Sequence, residues 1–243
     1  MNDGILLIAI AAAALLLGAG LGWYGHTSAS ARTLRRRERF FGLPENSECL
    51  VVVNRDAGGG DWSVAKHDAL ALVELAAVIK GCRAHLQIVA HDTAAQGFGD
   101  RTEFCVGTPL SNRRMAAHMH SLLPGVRINT DPEPGPDRGA FAVGTERYRL
   151  ENGVTEHVVL ARLTAGQDAR PVFVSCGQRS ITNQAAMRYL ARNEAKLSRK
   201  YGNNPFVLLL KVVNSQSYGP DVVELVADVT KAARTPLPAV AEK

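Results

Sequence analysis

ECLVVVN, residues Glu48 to Asn54, is apolar at every position between its two ends. A strand with one wet face alternates apolar and polar residues. An unbroken β-branched run instead belongs to a strand covered on both faces, as in a parallel sheet. RDAGGGDWS follows as a loop, with Asp61 or Ser63 placed to cap a helix. That helix, over 62–80, sets Ala65, Ala69, Leu72, Ala76 and Ile79 on one face, and Gly81 stops it.

Reading outward, the alternation continues. RAHLQIVAH (Arg83 to His91) and EFCVG (Glu103 to Gly107) are further strands, and a helix over 110–123 stops at Pro124-Gly125. VRINT is a short fourth strand, and DPEPGPDRG (Asp131 to Gly139) is a Pro/Gly loop. Two extended runs, Ala140 to Leu150 and Val154 to Leu163, flank Asn152-Gly153, whose tolerance of positive φ suits a hairpin turn. PVFVSCG (Pro171 to Gly177) is another covered strand, a long helix spans 181–201, and PFVLLLKVV (Pro205 to Val213) is the last clear strand. This pattern predicts an α/β fold: a three-layer Rossmann-like sandwich with a mostly parallel mixed sheet and a β-hairpin insertion.

Ahead of that fold, Ile5 to Trp23 is an unbroken apolar run. As a helix it would be about 28 Å long, close to the hydrocarbon thickness of a bilayer. Trp23 and Tyr24 sit where an interfacial anchor belongs, and five arginines follow between Arg32 and Arg39. The expectation is one N-terminal transmembrane helix with the soluble domain cytoplasmic in a single-pass cell-membrane protein. Cleavage after SASA (Ser28 to Ala31) is the alternative. The expected division is a transmembrane helix at 1–24, a basic juxtamembrane linker at 25–44, one Rossmann-like domain at 45–233 and a flexible tail at 234–243.

Residues 1–39 carry a net charge of +3, which leaves only +2 of the chain's +5 for the remainder. A nearly neutral domain does not point to nucleic acid, whereas the arginine-rich edge suits anionic headgroups. The four cysteines form no CxxC pair and fall in or beside apolar runs, which fits buried reduced thiols.

In open α/β sheets, ligands sit beyond the carboxyl ends of strands, where helices begin. Three such junctions occur here: NRDAGGGDWS, VGTPLSNRRM and SCGQRSITNQ. Free N–H groups at a helix start favour an anion. The candidate ligand-binding residues are Gly107, Thr108, Ser111, Asn112, Arg113 and Arg114 at the second junction, and Gly177, Gln178, Ser180 and Thr182 at the third, with Arg179 beside them. The bland alternative is that these residues only turn and cap the chain. There is no P-loop and no GxGxxG.

Cys176 is the one candidate nucleophile, with His91 or His157 as base, against the simpler reading of a buried strand cysteine. No metal site is expected: His118 and His120 point to different faces of a helix, and His91-Asp92 alone is too little. His67 and Asp68 read as solvent-facing. Arg188, Arg192, Lys196 and Arg199 read as a solvated helix face that a membrane or partner would also suit.

The N-terminal span, the arginine-rich edge and the runs EFCVGTPLSN and SCGQRSITNQAAMRYL together resemble an uncharacterised group of single-pass bacterial membrane proteins, actinobacterial in type, whose cytoplasmic part is Rossmann-like. The resemblance implies an architecture and carries no activity and no cofactor. The functional expectation is a membrane-anchored domain binding a small anionic ligand, such as a nucleotide, in a sensor or regulatory role. Two alternatives stay open: a hydrolase of nucleotides or nucleosides using Asp92, His91, Cys176 and Asn112, and a protein-interaction scaffold at the membrane.

Overall fold

The computed structural model describes residues 2–54, 60, 63–92, 99–131, 133, 135–166 and 168–237. Within the first helix the side chains at 2, 3, 5, 6, 9, 10, 12, 14, 21 and 22 also lie outside the described set. The chain runs α1 (Asn2–Phe41), β1 (Glu48–Val53), α2 (Lys66–Gly81), β2 (His85–Ala90), β3 (Thr102–Gly107), α3 (Arg113–Leu122) and β4 (Val126–Ile128). It continues through β5 (Phe141–Val143), β6 (Glu146–Tyr148), β7 (Thr155–Leu163), β8 (Val172–Gly177), α4 (Ser180–Tyr201), β9 (Phe206–Val213), α5 (Ser215–Tyr218), β10 (Val223–Asp228) and α6 (Thr230–Arg234).

Seven strands form one sheet in the order β10-β9-β7-β8-β3-β1-β2. The β8-β3-β1-β2 pairings are parallel, whereas β7 is antiparallel to both β8 and β9, and β10 is antiparallel to β9. Five strands therefore point one way in a mixed sheet. The unbroken apolar runs are covered on both faces as expected: Cys49, Val51 and Val53 face one core, and Leu50 and Val52 the other. The first core packs α2, α4 and the end of α1; the second packs α3, α6 and a small sheet β4-β5-β6. The result is a three-layer α/β sandwich.

Four expectations need correction. The segment 25–44 is not a linker, because α1 runs through it and its end is core. Phe40, Phe41 and Leu43 are at most 2% exposed, and Arg37 pairs with Glu194 of α4 at 2.6 Å. Gly42 ends the helix at φ +64°, where a side chain would strike Pro171. Second, the run 140–150 is itself the hairpin, turning at Gly144 (φ +59°) into β5 and β6. Asn152-Gly153 makes only a turn, with Glu151 bridged to Thr155, and β7 enters the main sheet. Third, α2 buries Asp68, Ala71, Leu75, Val78 and Ile79, a face rotated from the one expected, and begins after Ala65 with no side-chain cap. Ser63 is thus not its cap, and Asp61 lies outside the described residues. Fourth, β10 follows what read as the last strand, and α6 ends at Arg234, where the tail was expected to begin; 238–243 lie outside the described residues.

Among the described residues, no helix is long and apolar enough to cross a membrane. The run Ile5 to Trp23 includes several of the side chains outside that set, so the expected span falls partly beyond the described residues.

Candidate functional site

β1, β3 and β8 are parallel neighbours, so the strand ends that open the three junctions lie along one edge of the sheet; residues 55–59, 61 and 62 of the first junction lie outside the described residues. After β1 and β8 the chain passes to α2 and α4 on one face, while after β3 it passes to α3 on the other. The connections thus change face on either side of β3, the kind of switch beyond whose strand ends ligands bind in open α/β sheets.

Two glycines shape this edge. Gly107 ends β3 at φ +145°, and the buried Asn54 amide lies so close that an added Cβ would sit 2.0 Å from its Oδ1. That Oδ1 has no hydrogen-bond partner among the described residues. Gly177 ends β8 under Thr182 and Asn183, whose side-chain oxygens would meet a Cβ at 2.2 and 2.6 Å. Asn183 donates to Asp68 Oδ1 at 3.0 Å, and His67 Nδ1 lies 2.7 Å from Gln184 Oε1. These bonds join the first turns of α2 and α4. They also correct the solvent-facing reading of His67 and Asp68: Asp68 is only 2% exposed.

The predicted binding residues divide into committed and available groups. Asn112 is 1% exposed and caps α3, accepting from Met115 N at 2.9 Å and donating to Val106 O at 3.3 Å. Thr108 and Ser111 hydroxyls meet at 3.3 Å. Thr182 closes on Arg179, donating to its carbonyl at 2.7 Å. Gln178 accepts from His157 N at 2.6 Å and donates to Gly139 O and Tyr148 O, so it ties β7, β8 and the small sheet together. Ser180 is half-buried at the start of α4. Arg113 stays exposed, its N–H directed at His91 Nδ1 at 3.4 Å.

Arg114, expected to face an anionic ligand, is engaged within the chain. It grips the buried Glu103 of β3, with Nη2 to Oε2 at 2.7 Å and Nε to Oε1 at 3.1 Å, while His118 Nε2 lies 2.6 Å from Oε1. Burial works against the ionised Glu103, but the hydrogen bonds from His118 and Arg114 outweigh it and hold the carboxyl below its ordinary value. Cys105 completes a group whose ligand atoms lie within 4.8 Å of one another. Its thiol is pushed well above the usual range by burial, and a guanidinium already sits on the carboxylate, which makes this an ion-pair network more than a cation seat. The sequence reading missed it, although a glutamate inside an apolar strand and an Arg/His pair four residues apart on one helix were visible signals.

The second missed pair is Glu156 and Arg179. Glu156 is fully buried in β7, accepts from Gly153 N at 2.9 Å, and meets Arg179 Nη1 at 2.6 Å. Two members of the set proposed for hydrolysis are already engaged, while His91 lies beside Arg113 at the start of α3. Cys176 is buried in the sheet with its thiol pushed up to about 12, and Asn112 is spent as a cap. His157, the other candidate base, is held below its ordinary value chiefly by burial. On α4, Arg188 pairs with Glu74 and Asp221 at 2.7 Å each, so that stripe is partly neutralised within the chain.

No known protein family matches this chain, and comparison with curated proteins finds no match either.

Proposed function

We propose that this protein is a non-catalytic, Rossmann-like ligand-binding domain carried on a long N-terminal helix, with its ligand seat at the carboxyl ends of β1, β3 and β8. The observation that carries the reading is the buried Asn54 amide lying across bare Gly107 at that switch of face, its oxygen without a partner among the described residues. A buried polar atom of that kind is costly until something donates to it. The ligand is a small anionic molecule of the nucleotide class, its hydroxyl or amide groups meeting Asn54 and its acidic group facing Arg113 and His91.

The N-terminal helix serves as a tether to a membrane, with the domain on the cytoplasmic side, as in the single-pass actinobacterial group the sequence resembles. Support comes from the described large apolar side chains Leu7, Leu15, Leu16, Leu17 and Trp23, each at least 68% exposed. Binding at the seat is then read at the membrane as a regulatory signal.

Thermal denaturation of the full chain in detergent, with nucleotides, dinucleotides and sugar phosphates, tests the seat. A ligand at a hundred times its dissociation constant adds about 2.7 kcal/mol, which raises the melting point by roughly 5–10 °C for a domain of this size. Asn54→Ala and Arg113→Gln are expected to reduce that gain. Silence across the panel transfers the reading to an interaction scaffold, for which the exposed Leu225 and Val226 on edge strand β10 supply a surface.

A further inference from the structure

At the opposite edge of the sheet, where α1 ends, lies a cavity of about 530 Å³. Arg35 and Arg39 reach it from α1, Arg162 from the end of β7 and Arg170 from the segment before β8, with Glu38 and Asp168 also on its wall. Among the described residues none of these six side chains makes an ion pair within 4 Å, and four arginines against two carboxylates leave the lining with a net charge of +2.

Arg162 is the telling member. It is 3% exposed, the only buried arginine among the described residues. Its Nε donates to Phe40 O at 2.9 Å and its Nη1 to Asn203 O, while Nη2 has no partner among the described residues. Of the half-buried arginines, Arg37 has Glu194, Arg101 has Glu48, Arg114 has Glu103 and Arg188 has Glu74, whereas Arg36 has no carboxylate among the described residues. A charge buried without a counter-ion costs several kcal/mol, and burial alone lowers the Arg162 pKa to about 10. Arg170 likewise donates one nitrogen to Gly42 O at 3.2 Å and has no carboxylate. The carbonyls at the end of α1 are thus occupied by Arg162, Arg170 and the Thr102 hydroxyl, which leaves the remaining guanidinium nitrogens for something else.

We propose that this cavity binds a small oxyanion of the phosphate or phosphomonoester class, gripped by Arg162 and Arg170 from the sheet side and by Arg35 and Arg39 from α1. Planar guanidinium forks match tetrahedral oxyanions two oxygens at a time, and the volume suits a small metabolite. An occupant bridges helix and sheet and stiffens the joint between them. The same chemistry is available from a lipid headgroup. At 1.5 Å per residue, however, Arg35 lies about 18 Å along α1 beyond Trp23, farther than a headgroup at that interface reaches. A soluble anion is therefore the expected source.

Calorimetric titration of the detergent-solubilised full chain with inorganic phosphate, at constant ionic strength, tests the site. Saturable binding is expected, weakened about tenfold or more in Arg170→Gln and in Arg39→Gln, each of which removes a charged hydrogen bond. Both variants spare the buried Arg162; Arg170→Gln gives up one bond to Gly42 O, Arg39→Gln none, and a retained cooperative melting transition will show that each folds. Dihexanoyl phosphatidylglycerol, against dihexanoyl phosphatidylcholine, forms the second arm. Binding of the first only, lost in Arg170→Gln, assigns the site to a headgroup. No binding of either anion, or binding indifferent to both substitutions, overturns the proposal. Neither variant touches the Asn54–Gly107 seat, so failure here is separable from failure there.

Discussion

Glu103 follows the first residue of β3, is 3% exposed, and faces a guanidinium and an imidazole from one side of α3. Replacing it with glutamine leaves Arg114 and His118 without their carboxylate. We expect Glu103→Gln to lose about 3 kcal/mol at pH 7, the lower end for a broken buried pair, because Arg114 can turn toward water. The folded carboxyl ionises below its ordinary value of 4.5, so its contribution is complete above about pH 4.5 and disappears as pH falls through the folded value. Urea denaturation at pH 7 and pH 4 checks both points: the variant should be weaker at pH 7, and the gap should narrow at pH 4. A loss below about 0.5 kcal/mol would place the network among inert surface pairs. The four-residue spacing of Arg114 and His118 is that of one helical face. It carried no information about what that face meets, so Arg114 read as free for a ligand.

The end of α1 shows the same limit at the scale of an element. RERFFGLP ends in the signals of a helix stop, and Phe40 and Phe41 are its most apolar residues. They pack into a cluster with Phe104, Phe173 and Phe206, at ring separations from 4.9 to 6.3 Å. Removing one such side chain costs about 3–5 kcal/mol, and a whole domain has only about 5–15. A chain beginning at residue 45, the expected domain boundary, should therefore show no cooperative melting, whereas one beginning at residue 30 should. Circular dichroism on both decides it, and equal melting points would show that α1 is dispensable to the fold. The phase of α2 was lost for a different reason. Its alanines mark no face strongly, and the buried Asp68–Asn183 bond sets the rotation.

Across the whole molecule the four cysteines are buried, two in each core. Burial raises Cys49 to about 12, Cys82 to about 11 and Cys176 to about 12, and lifts Cys105 as well. None presents a thiolate to solvent near neutral pH. A maleimide at pH 7 should label no thiol of the native chain beyond the rate set by unfolding, and all four in denaturant, read by intact mass. Rapid modification of one cysteine would locate a locally open region of the sheet.

The alternation of strand and helix from β1 to α3 and the double coverage of β1, β3 and β8 were determined by the sequence itself, because apolar periodicity, capping residues and glycine act over a few neighbouring positions. Only the tertiary structure decided that β7 lies between β8 and β9, that Glu103 takes Arg114 and Glu156 takes Arg179, and that Arg162 has no carboxylate among the described residues. Those outcomes depend on which surfaces complement one another across long stretches of chain. In a low-dielectric interior every charge competes for the few groups within reach, and no local pattern records who wins.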